Sequence, residues 1–540
     1  MLFWGLYIPL GLWACQQVGI SWDEGIELHT YKVNLEALLG IAQGDLTPYQ
    51  ALLTYGDRYY GVGFHILANL LSFLIEIVSP ISADLGSEAR RITLNHIAIF
   101  LSWVGSGYLV GQILKRITQD DWTATLGMIA CLLWPYLLGH GLMNIKDIPF
   151  MFAWLLCTNQ LLKIVGDPKQ ASSMSAYILL GIFTGWLISI RISGVLIAIE
   201  YLTFAALFWN TLIGAPKASR SNLETFPPQK RFPWKNLALF LVASSVMLYI
   251  CYPILWHNPL ELFNAISYMS HHPWDGDTLT AGRFIAGNQL HWYLLAWLFV
   301  KLPLIALLGL ALIPLAFFKL ASQNTQIAST QISQARWSAR ALLALLMSVL
   351  FILVALLIQN VSLYNELRQI LLIFPLLWII AITSLCFIGR KMTIALLLAS
   401  ISVFTWDNVR LFPYNYVYFN EIARQFPIAT QYEKDYFGLS AKQSAQWLNH
   451  SDLTPMTNCI YASPLHLWQY AIDPKKVSCV NDFSQRPSNP QAQKYFIAIP
   501  VRDKVKQLPI PTCKLLHSEE RTLPLSSQVL VMGELYSCQP

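Results

Sequence analysis

Three short polar stretches, each beside an apolar segment, hold the side chains that could carry chemistry. The first has two adjacent carboxylates, Asp23 and Glu24, which can take a proton or bind a cation. The second has Lys146 followed by Asp147, and the third has Arg368, so both provide cations that can bind phosphate oxygens. Each stretch also has a simpler interpretation: solvated charge for the first, helix capping for the second and a snorkelling arginine for the third.

The composition places these stretches in a membrane protein. Of 540 residues, 55% are hydrophobic and 12% are charged, whereas a soluble chain has about 25% charged residues. The mean hydropathy is +0.46. A disordered chain, a coiled coil and a nucleic-acid-binding domain all need more charge, and none of them explains 19 Trp and 27 Phe. The sequence therefore predicts an integral membrane protein with no nucleic-acid partner.

Apolar stretches of about 20 residues predict eleven membrane-spanning helices. The predicted fold class is an all-α polytopic membrane protein with a small C-terminal α/β domain. Residues 1–409 are predicted to form the membrane domain, and residues 410–540 the soluble domain. The predicted spans are residues 2–20, 94–114, 122–139, 148–165, 174–190, 193–212, 236–256, 291–318, 341–358, 369–388 and 392–409.

One further apolar stretch, residues 63–78, is ambiguous, and the positive-inside rule decides its assignment. If this stretch does not span, the cytoplasmic loops carry more Lys and Arg than the longer outer loops. The stretch is then predicted to form a helix at the outer interface of the membrane. The N-terminus is predicted to be cytoplasmic and the C-terminal domain to lie outside. All three polar stretches then fall on the outer face, as a single active site would require.

The cysteines give separate evidence on the side of the C-terminal domain. Four of the nine cysteines, Cys459, Cys479, Cys513 and Cys538, lie in this domain. An even number in one small domain suggests two disulfides and an oxidising compartment, with three pairings open. Buried free thiols are the alternative. Their spacing does not match a zinc site.

The order of several short motifs, and the side of the membrane on which they lie, resemble those of a known family. An acidic pair after the first span, a long first loop, an Asp opening the fourth span and an outer C-terminal domain resemble the GT-C glycosyltransferases. The chain is most similar to the bacterial branch of the protein O-mannosyltransferase and aminoarabinose-transferase type. Three stretches carry this similarity: residues 143–150 (MNIKDIPF), 413–421 (PYNYVYFNE) and 435–440 (DYFGLS).

The resemblance implies a membrane enzyme that takes a sugar from a polyprenyl phosphate and transfers it, with inversion, to a hydroxyl. The acceptor would be a lipid, a glycan or a protein on the periplasmic face of the bacterial inner membrane. Asp23 is the predicted base, since a carboxylate can take the proton of the attacking hydroxyl. Glu24 and Asp147 are further catalytic candidates. The predicted ligands of the leaving phosphate are Arg58, Arg191, Arg368 and Lys146.

Other roles are more weakly marked in the sequence. The sequence identifies no definite cofactor, and it leaves metal use open, since the oxygens of Asp23, Glu24 and Asp147 could bind a divalent metal. His271 and His272, in the outer loop after the seventh span, are predicted to contact the acceptor or to belong to a lid.

Two other classes of function compete with the enzyme. A transporter or flippase of lipid-linked sugars would also use intramembrane charges, such as Glu200 and Lys301. Such a protein is expected to show internal repeats and polar residues at the membrane midplane, whereas here the acids cluster near one surface. A receptor that acts through its soluble domain would leave the eleven spans unexplained. No motif identifies the sugar or the acceptor, or decides whether the lipid carrier is undecaprenyl or dolichyl phosphate.

Overall fold

The computed structural model describes most of the chain. The described residues are 2–78, 87–212, 234–270, 276–286, 290–322, 329–359, 361–451, 459–463, 465–469, 471–473, 475–477, 479–485, 495–500 and 513–538.

The N-terminal part of the described chain is helical. Local sequence sets both ends of the second helix: the N–H of Ser21 donates to the Glu24 carboxylate at 2.6 Å at its start, and Gly44 ends it in the left-handed conformation. The helices are Leu2–Gln17 (α1), Trp22–Gln43 (α2), Thr47–Thr54 (α3), Gly63–Val78 (α4), Ser87–Thr118 (α5), Asp121–Leu133 (α6), Pro135–Met143 (α7) and Asp147–Gly166 (α8).

The next group of helices packs closely through glycines. At Gly181 and Gly185, an added Cβ would lie only 2.4 and 2.3 Å from backbone oxygens of Phe240 and Ser244. A side chain therefore cannot fit between the helix that holds the two glycines and the helix that holds Phe240 and Ser244. The helices are Pro168–Ala171 (α9), Met174–Ile190 (α10), Ile197–Leu207 (α11), Trp209–Leu212 (α12), Trp234–Cys251 (α13) and Glu261–Ser270 (α14), with 3₁₀ turns at Ile192–Leu196 and Pro253–Trp256.

A two-stranded hairpin, Asp277–Thr280 (β1) and Arg283–Ala286 (β2), precedes the remaining membrane helices. Among these helices, residues 373–385 are all buried, and their apolar side chains belong to the main hydrophobic core. The helices are Leu290–Lys301 (α15), Leu304–Ala311 (α16), Ile313–Ser322 (α17), Ser329–Ile358 (α18), Ile373–Ile388 (α19) and Arg390–Leu411 (α20).

Two predicted spans are not straight. The stretch 122–139 is divided into α6 and α7, which meet at 61° where Pro135 starts the second helix. The prediction of one continuous span over 291–318 is wrong, because α15 and α16 form an angle of 119° at residues 302–303. Proline lacks a backbone N–H and cannot continue a helix without a break, so Pro303 explains this bend.

The described residues contain five helices long and apolar enough to cross a membrane, or up to seven if each bent pair is one span. Shorter apolar helices occur at Met174–Ile190, Ile192–Leu207 and Ile373–Ile388. The chain is therefore a multi-pass membrane protein, and the number of eleven spans stays a prediction. A helix does occupy the ambiguous stretch as α4, which packs against α5 and α10. Its location at the membrane interface is still a prediction.

The C-terminal region combines short helices with a five-stranded sheet. Its elements are the helices Ile428–Gln431 (α21), Ser440–His450 (α22) and Leu465–Gln469 (α23), and the strands Cys459–Ala462 (β3), Cys479–Asp482 (β4), Tyr495–Pro500 (β5), Cys513–Thr522 (β6) and Val529–Cys538 (β7). The strand order is β4-β3-β5-β7-β6, with β3 parallel to β4 and β5, and β7 antiparallel to β5 and β6.

Two disulfides staple this sheet. Cys459 bonds to Cys479, its register partner on the neighbouring strand, and Cys513 bonds to Cys538 across β6 and β7. This is one of the three pairings that the sequence left open, and the free-thiol alternative is wrong. Side chains of β7, including those of Leu530 and Met532, also join the main core of the membrane helices. The C-terminal region is thus packed onto the rest of the protein.

Candidate active site

A cavity of about 730 Å³ brings several of the predicted residues together. Its wall is built from the start of α2, the loop before α8, the turn after α10, the end of α18 with the loop that follows, the β1–β2 hairpin and residues 429–435. The predicted site residues in its lining are Asp23, Lys146, Asp147, Arg191 and Arg368.

Asp23 and Arg368 form an ion pair across the cavity, between Oδ2 and Nη1. Asp23 lies in the first turn of α2, and Arg368 begins a 3₁₀ turn that leads into α19. The Asp23 side chain is 26% exposed and that of Arg368 9%. Burial lowers the pKa of Arg368, but the Asp23 carboxylate raises it more, so the guanidinium stays charged.

A second pair joins Asp147 to Arg191, between Oδ1 and Nη1. The N–H of Asp147, the first residue of α8, donates to Oδ1 of Asn144 at 2.9 Å, so the Asp147 carboxylate is not needed to satisfy this helix end. Asp147 is therefore available to hold Arg191 in the cavity. Burial lowers the pKa of Arg191, and the nearby Arg368 lowers it further. Two guanidinium groups thus face the same space, which favours an anion between them.

The third pair contains Glu27, which the sequence analysis missed. Nζ of Lys146 donates to Oε1 of Glu27 at 2.5 Å and lies 3.8 Å from the centre of the Tyr60 ring. His65 contacts the other oxygen of Glu27 at 3.7 Å. Burial raises the pKa of Glu27, but Lys146 and His65 lower it more strongly, to about 2. Helical spacing could have identified this residue, since Glu27 follows Asp23 by four positions and lies on the same face of α2.

Two predicted site residues lie outside the cavity wall. Glu24 is fully buried, where its Oε1 pairs with Nε2 of His96 at 2.9 Å. Arg58 donates from Nη1 to the backbone oxygen of Tyr55 at 3.0 Å, and its guanidinium covers the ring of Tyr59 at 4.6 Å. Their roles in catalysis and phosphate binding are predictions that this placement does not support. His271 and His272 lie outside the described residues.

One wall of the cavity is apolar. It is formed by the end of α18, the loop that follows it and the 3₁₀ turn after α10. The side chains on this wall are those of Ile192, Leu196, Ile352, Leu356 and Val361. The cavity therefore combines a charged region with a surface suited to a hydrocarbon chain.

The carboxylates are not arranged as a metal site. Asp23, Glu24 and Asp147 each face a different cationic or histidine partner. Within the described ranges, no group of three His, Cys, Asp or Glu side chains is placed to hold a metal ion. The residues thus do not form the ligand set that the sequence left open for a divalent cation.

The motif DYFGLS has a structural role at the edge of the cavity. The carboxylate of Asp435 accepts hydrogen bonds from the backbone N–H groups of Leu439 at 3.0 Å and Ser440 at 2.9 Å, at the start of α22. The hydroxyl of Tyr416, from the motif PYNYVYFNE, also donates to Asp435. Burial raises the pKa of Asp435. These two motifs therefore join the C-terminal region to the cavity wall.

The fold and this cavity define a class: a multi-pass membrane protein with a large amphipathic cavity in which cations from separate segments converge. Two solved structures of ArnT from Cupriavidus metallidurans are similar to the chain. The first, bound to undecaprenyl phosphate, has a TM-score of 0.47 and 12% sequence identity, over 99% of this chain and 97% of that chain. The second, in the apo state, has a TM-score of 0.38 and 11% identity, with the same coverage. No family model matches the chain, and no curated protein matches it.

Proposed function

We propose that this protein is a membrane glycosyltransferase that moves a sugar from a polyprenyl-phosphate donor to a hydroxyl acceptor. The observation that carries the proposal is the cavity itself. It places a partly exposed carboxylate, Asp23, beside the cations Arg368, Arg191 and Lys146, and it has an apolar wall. A lipid-linked donor has three parts that match these features: a reacting sugar, a phosphate anion and a hydrocarbon chain.

Donor binding would exchange partners in the ion pairs. The phosphate carries negative charge, so it can replace the Asp23 carboxylate on Arg368 and the Asp147 carboxylate on Arg191. Such an exchange keeps each guanidinium paired and leaves Asp23 free within the cavity. Arg is suited to this task because its planar group donates two parallel hydrogen bonds to phosphate oxygens. The prenyl chain would lie along the wall formed by Ile352 and Leu356.

The freed Asp23 carboxylate is the proposed general base. It would take the proton of the acceptor hydroxyl while the hydroxyl oxygen attacks the anomeric carbon. The bond from that carbon to the phosphate oxygen breaks on the opposite face, which inverts the configuration. The electron pair goes to the leaving polyprenyl phosphate, whose charge Arg368 and Arg191 stabilise.

Purified protein with a labelled polyprenyl-phosphate sugar tests this proposal. We expect release of polyprenyl phosphate that depends on a hydroxyl acceptor and is lost in Asp23→Asn. Glu36→Gln is the matched control, because Glu36 is an exposed carboxylate on the same helix, with its side chain 57% exposed. Donor that crosses proteoliposome membranes without being consumed would instead identify a transporter.

The sidedness of the reaction has its own test. We propose that the cavity opens on the periplasmic side of the bacterial inner membrane, with the N-terminus in the cytoplasm. In intact cells, a membrane-impermeant thiol reagent should label Lys475→Cys and should label Lys391→Cys only after the membrane is permeabilised. Labelling of both positions from one side would contradict the proposed topology.

A further inference from the structure

A buried ion pair lies directly behind the cavity. Lys301 and Glu366 are both fully buried, and Nζ of Lys301 lies 2.9 Å from Oε1 of Glu366. Three aromatic rings surround the ammonium group, with ring centres at 4.3 Å (Phe419), 4.9 Å (Tyr136) and 5.3 Å (Trp297). Neither charged residue lines the cavity, so neither is placed to touch a substrate there.

Lys301 is held at a fixed point of the fold. It ends α15, immediately before the 119° bend into α16. The side-chain amide of Asn420 donates to the backbone oxygens of Phe299 and Leu302, the latter at 2.7 Å, and the N–H of Asn420 donates to Val300 at 2.9 Å. These bonds satisfy backbone groups that the break would otherwise leave unpaired. The ammonium group of Lys301 therefore projects from a well-anchored helix end.

Glu366, in contrast, belongs to a turn with unfavourable backbone angles. Asn365 and Glu366 have φ values of 52° and 64°, in the left-handed region that side chains disfavour. Contacts from other elements hold this turn: the Tyr293 hydroxyl donates to the Glu366 backbone oxygen at 2.8 Å, and the Asn365 N–H donates to Oγ1 of Thr278 at 3.1 Å. Such a conformation persists only where surrounding contacts determine it.

The turn places the residues that face the cavity. Tyr364 and Asn365 line the cavity, the Glu366 side chain turns back into the protein, and Arg368 returns to the cavity to meet Asp23. Fixing the Glu366 carboxylate thus fixes the backbone two residues before Arg368. A fully buried ion pair adds little net stability compared with apolar side chains of similar size, so its presence here calls for another role.

We propose that Lys301 and Glu366 are positioning residues that hold Arg368 in place for the donor phosphate. The pair acts through the Asn365–Glu366 turn. This inference rests on the proposed function, because it takes the polyprenyl phosphate as the ligand of Arg368. Both residues lie behind the cavity, and their side chains do not reach the substrate.

The test is a double-mutant cycle on binding of undecaprenyl phosphate, without any sugar transfer. Lys301→Met/Glu366→Gln removes both charges with little change in volume, so no buried charge is left alone. We expect it to weaken binding by about tenfold or more, since small displacements of a binding group have large effects. In an Arg368→Ala background the same change should cause no further loss, because the pair acts through Arg368. Unchanged affinity, or an equal loss in both backgrounds, would overturn the proposal.

Hydrogen exchange provides a readout that does not depend on the ligand. Amides of residues 364–370 should exchange faster in Lys301→Met/Glu366→Gln, whereas those of α19 should not change. Asp407→Asn is the matched control, because Asp407 also belongs to a fully buried ion pair but does not line the cavity. It should leave residues 364–370 and phosphate binding unaffected. Unaltered exchange of residues 364–370 in the double variant would refute the positioning role.

Two other outcomes of these experiments also have a clear meaning. If the double variant does not fold, Tyr293→Phe removes one hydrogen bond to the same turn and should produce a smaller loss of the same kind. If wild-type protein does not bind undecaprenyl phosphate at all, the proposed function fails. The exchange measurement would then still decide whether the pair holds the turn.

Discussion

Ion pairs in the cavity differ from those in the interior. Asp23 and Arg368 face open space, with side chains 26% and 9% exposed. Asp407 and Arg424 join the end of α20 to the C-terminal region, and both are fully buried. The cavity pair can exchange one partner for a substrate anion without burying a lone charge. The interior pair cannot lose a partner without leaving an uncompensated charge.

The two Asp–Arg ion pairs therefore have different roles. In the cavity, a carboxylate occupies the place that we assign to a phosphate, so the pair keeps the guanidinium ready while the site is empty. In the interior, the Arg424 guanidinium also donates to the backbone oxygens of Phe419 at 2.8 Å and Pro524 at 3.3 Å. It thereby ties three segments of the chain together. Mutations in the first region should alter turnover, and mutations in the second should alter stability.

The largest expected effect is that of Asp23→Asn on turnover. Loss of a general base lowers kcat by about 10²- to 10⁴-fold. The amide keeps the size of the side chain but frees Arg368 from a competing charge, so binding of polyprenyl phosphate should be retained or become tighter. Retention of more than about a tenth of wild-type kcat, a barrier change below roughly 1.4 kcal/mol, would contradict the role of base.

Asp407→Asn should give the opposite result. Breaking a buried pair costs about 3–5 kcal/mol of stability, because the Arg424 guanidinium remains buried without its counter-charge. The temperature of unfolding in detergent should fall clearly. The turnover of the remaining folded protein should stay within about twofold of wild type, since surface and interior changes distant from a site act mainly through stability. A selective loss of kcat in fully folded protein would contradict the view that the Asp407–Arg424 pair acts only on stability.

Arg368→Ala should weaken engagement of the donor more than that of the acceptor. Loss of a hydrogen bond to a charged partner costs about 1.5–3 kcal/mol, which appears in the donor KM and in kcat/KM. Arg368→Lys should recover only part of the loss, because lysine cannot donate in the paired geometry of a guanidinium. If Arg368 only extends to the membrane interface, both variants will titrate with donor like the wild type.

Some of the fold could be predicted because its signals are local. The helix over residues 63–78 has the bounds that the apolar stretch indicated, and α8 begins at Asp147 as the motif before it suggested. The bend at Pro303 has a local cause too, but the hydropathy of residues 291–318 conceals it, since apolar residues continue through the break. Length and apolarity alone do not distinguish one span from two segments at 119°.

The site was less predictable, because its contacts join distant parts of the sequence. Lys146 pairs with Glu27, 119 positions away, and Lys301 pairs with Glu366, which no local pattern could indicate. Glu24 has different surroundings from Asp23. Adjacent residues on a helix point about 100° apart, so two neighbouring carboxylates on α2 can have different partners. The helix directs Asp23 and Glu27 to the cavity and Glu24 to His96.

The smallest expected effect concerns the pH dependence of stability, through Glu27. Lys146 and His65 overcome the effect of burial and hold its pKa at about 2, below the ordinary value of 4.5. Because the folded pKa is the lower one, the stabilisation is complete above the ordinary value and is lost as the pH falls towards 2. Thermal unfolding between about pH 6 and 3 should therefore vary less in Glu27→Gln than in wild type, while Glu36→Gln keeps the wild-type slope. Equal slopes in all three proteins would show that the cavity pair does not stabilise the charged form of Glu27.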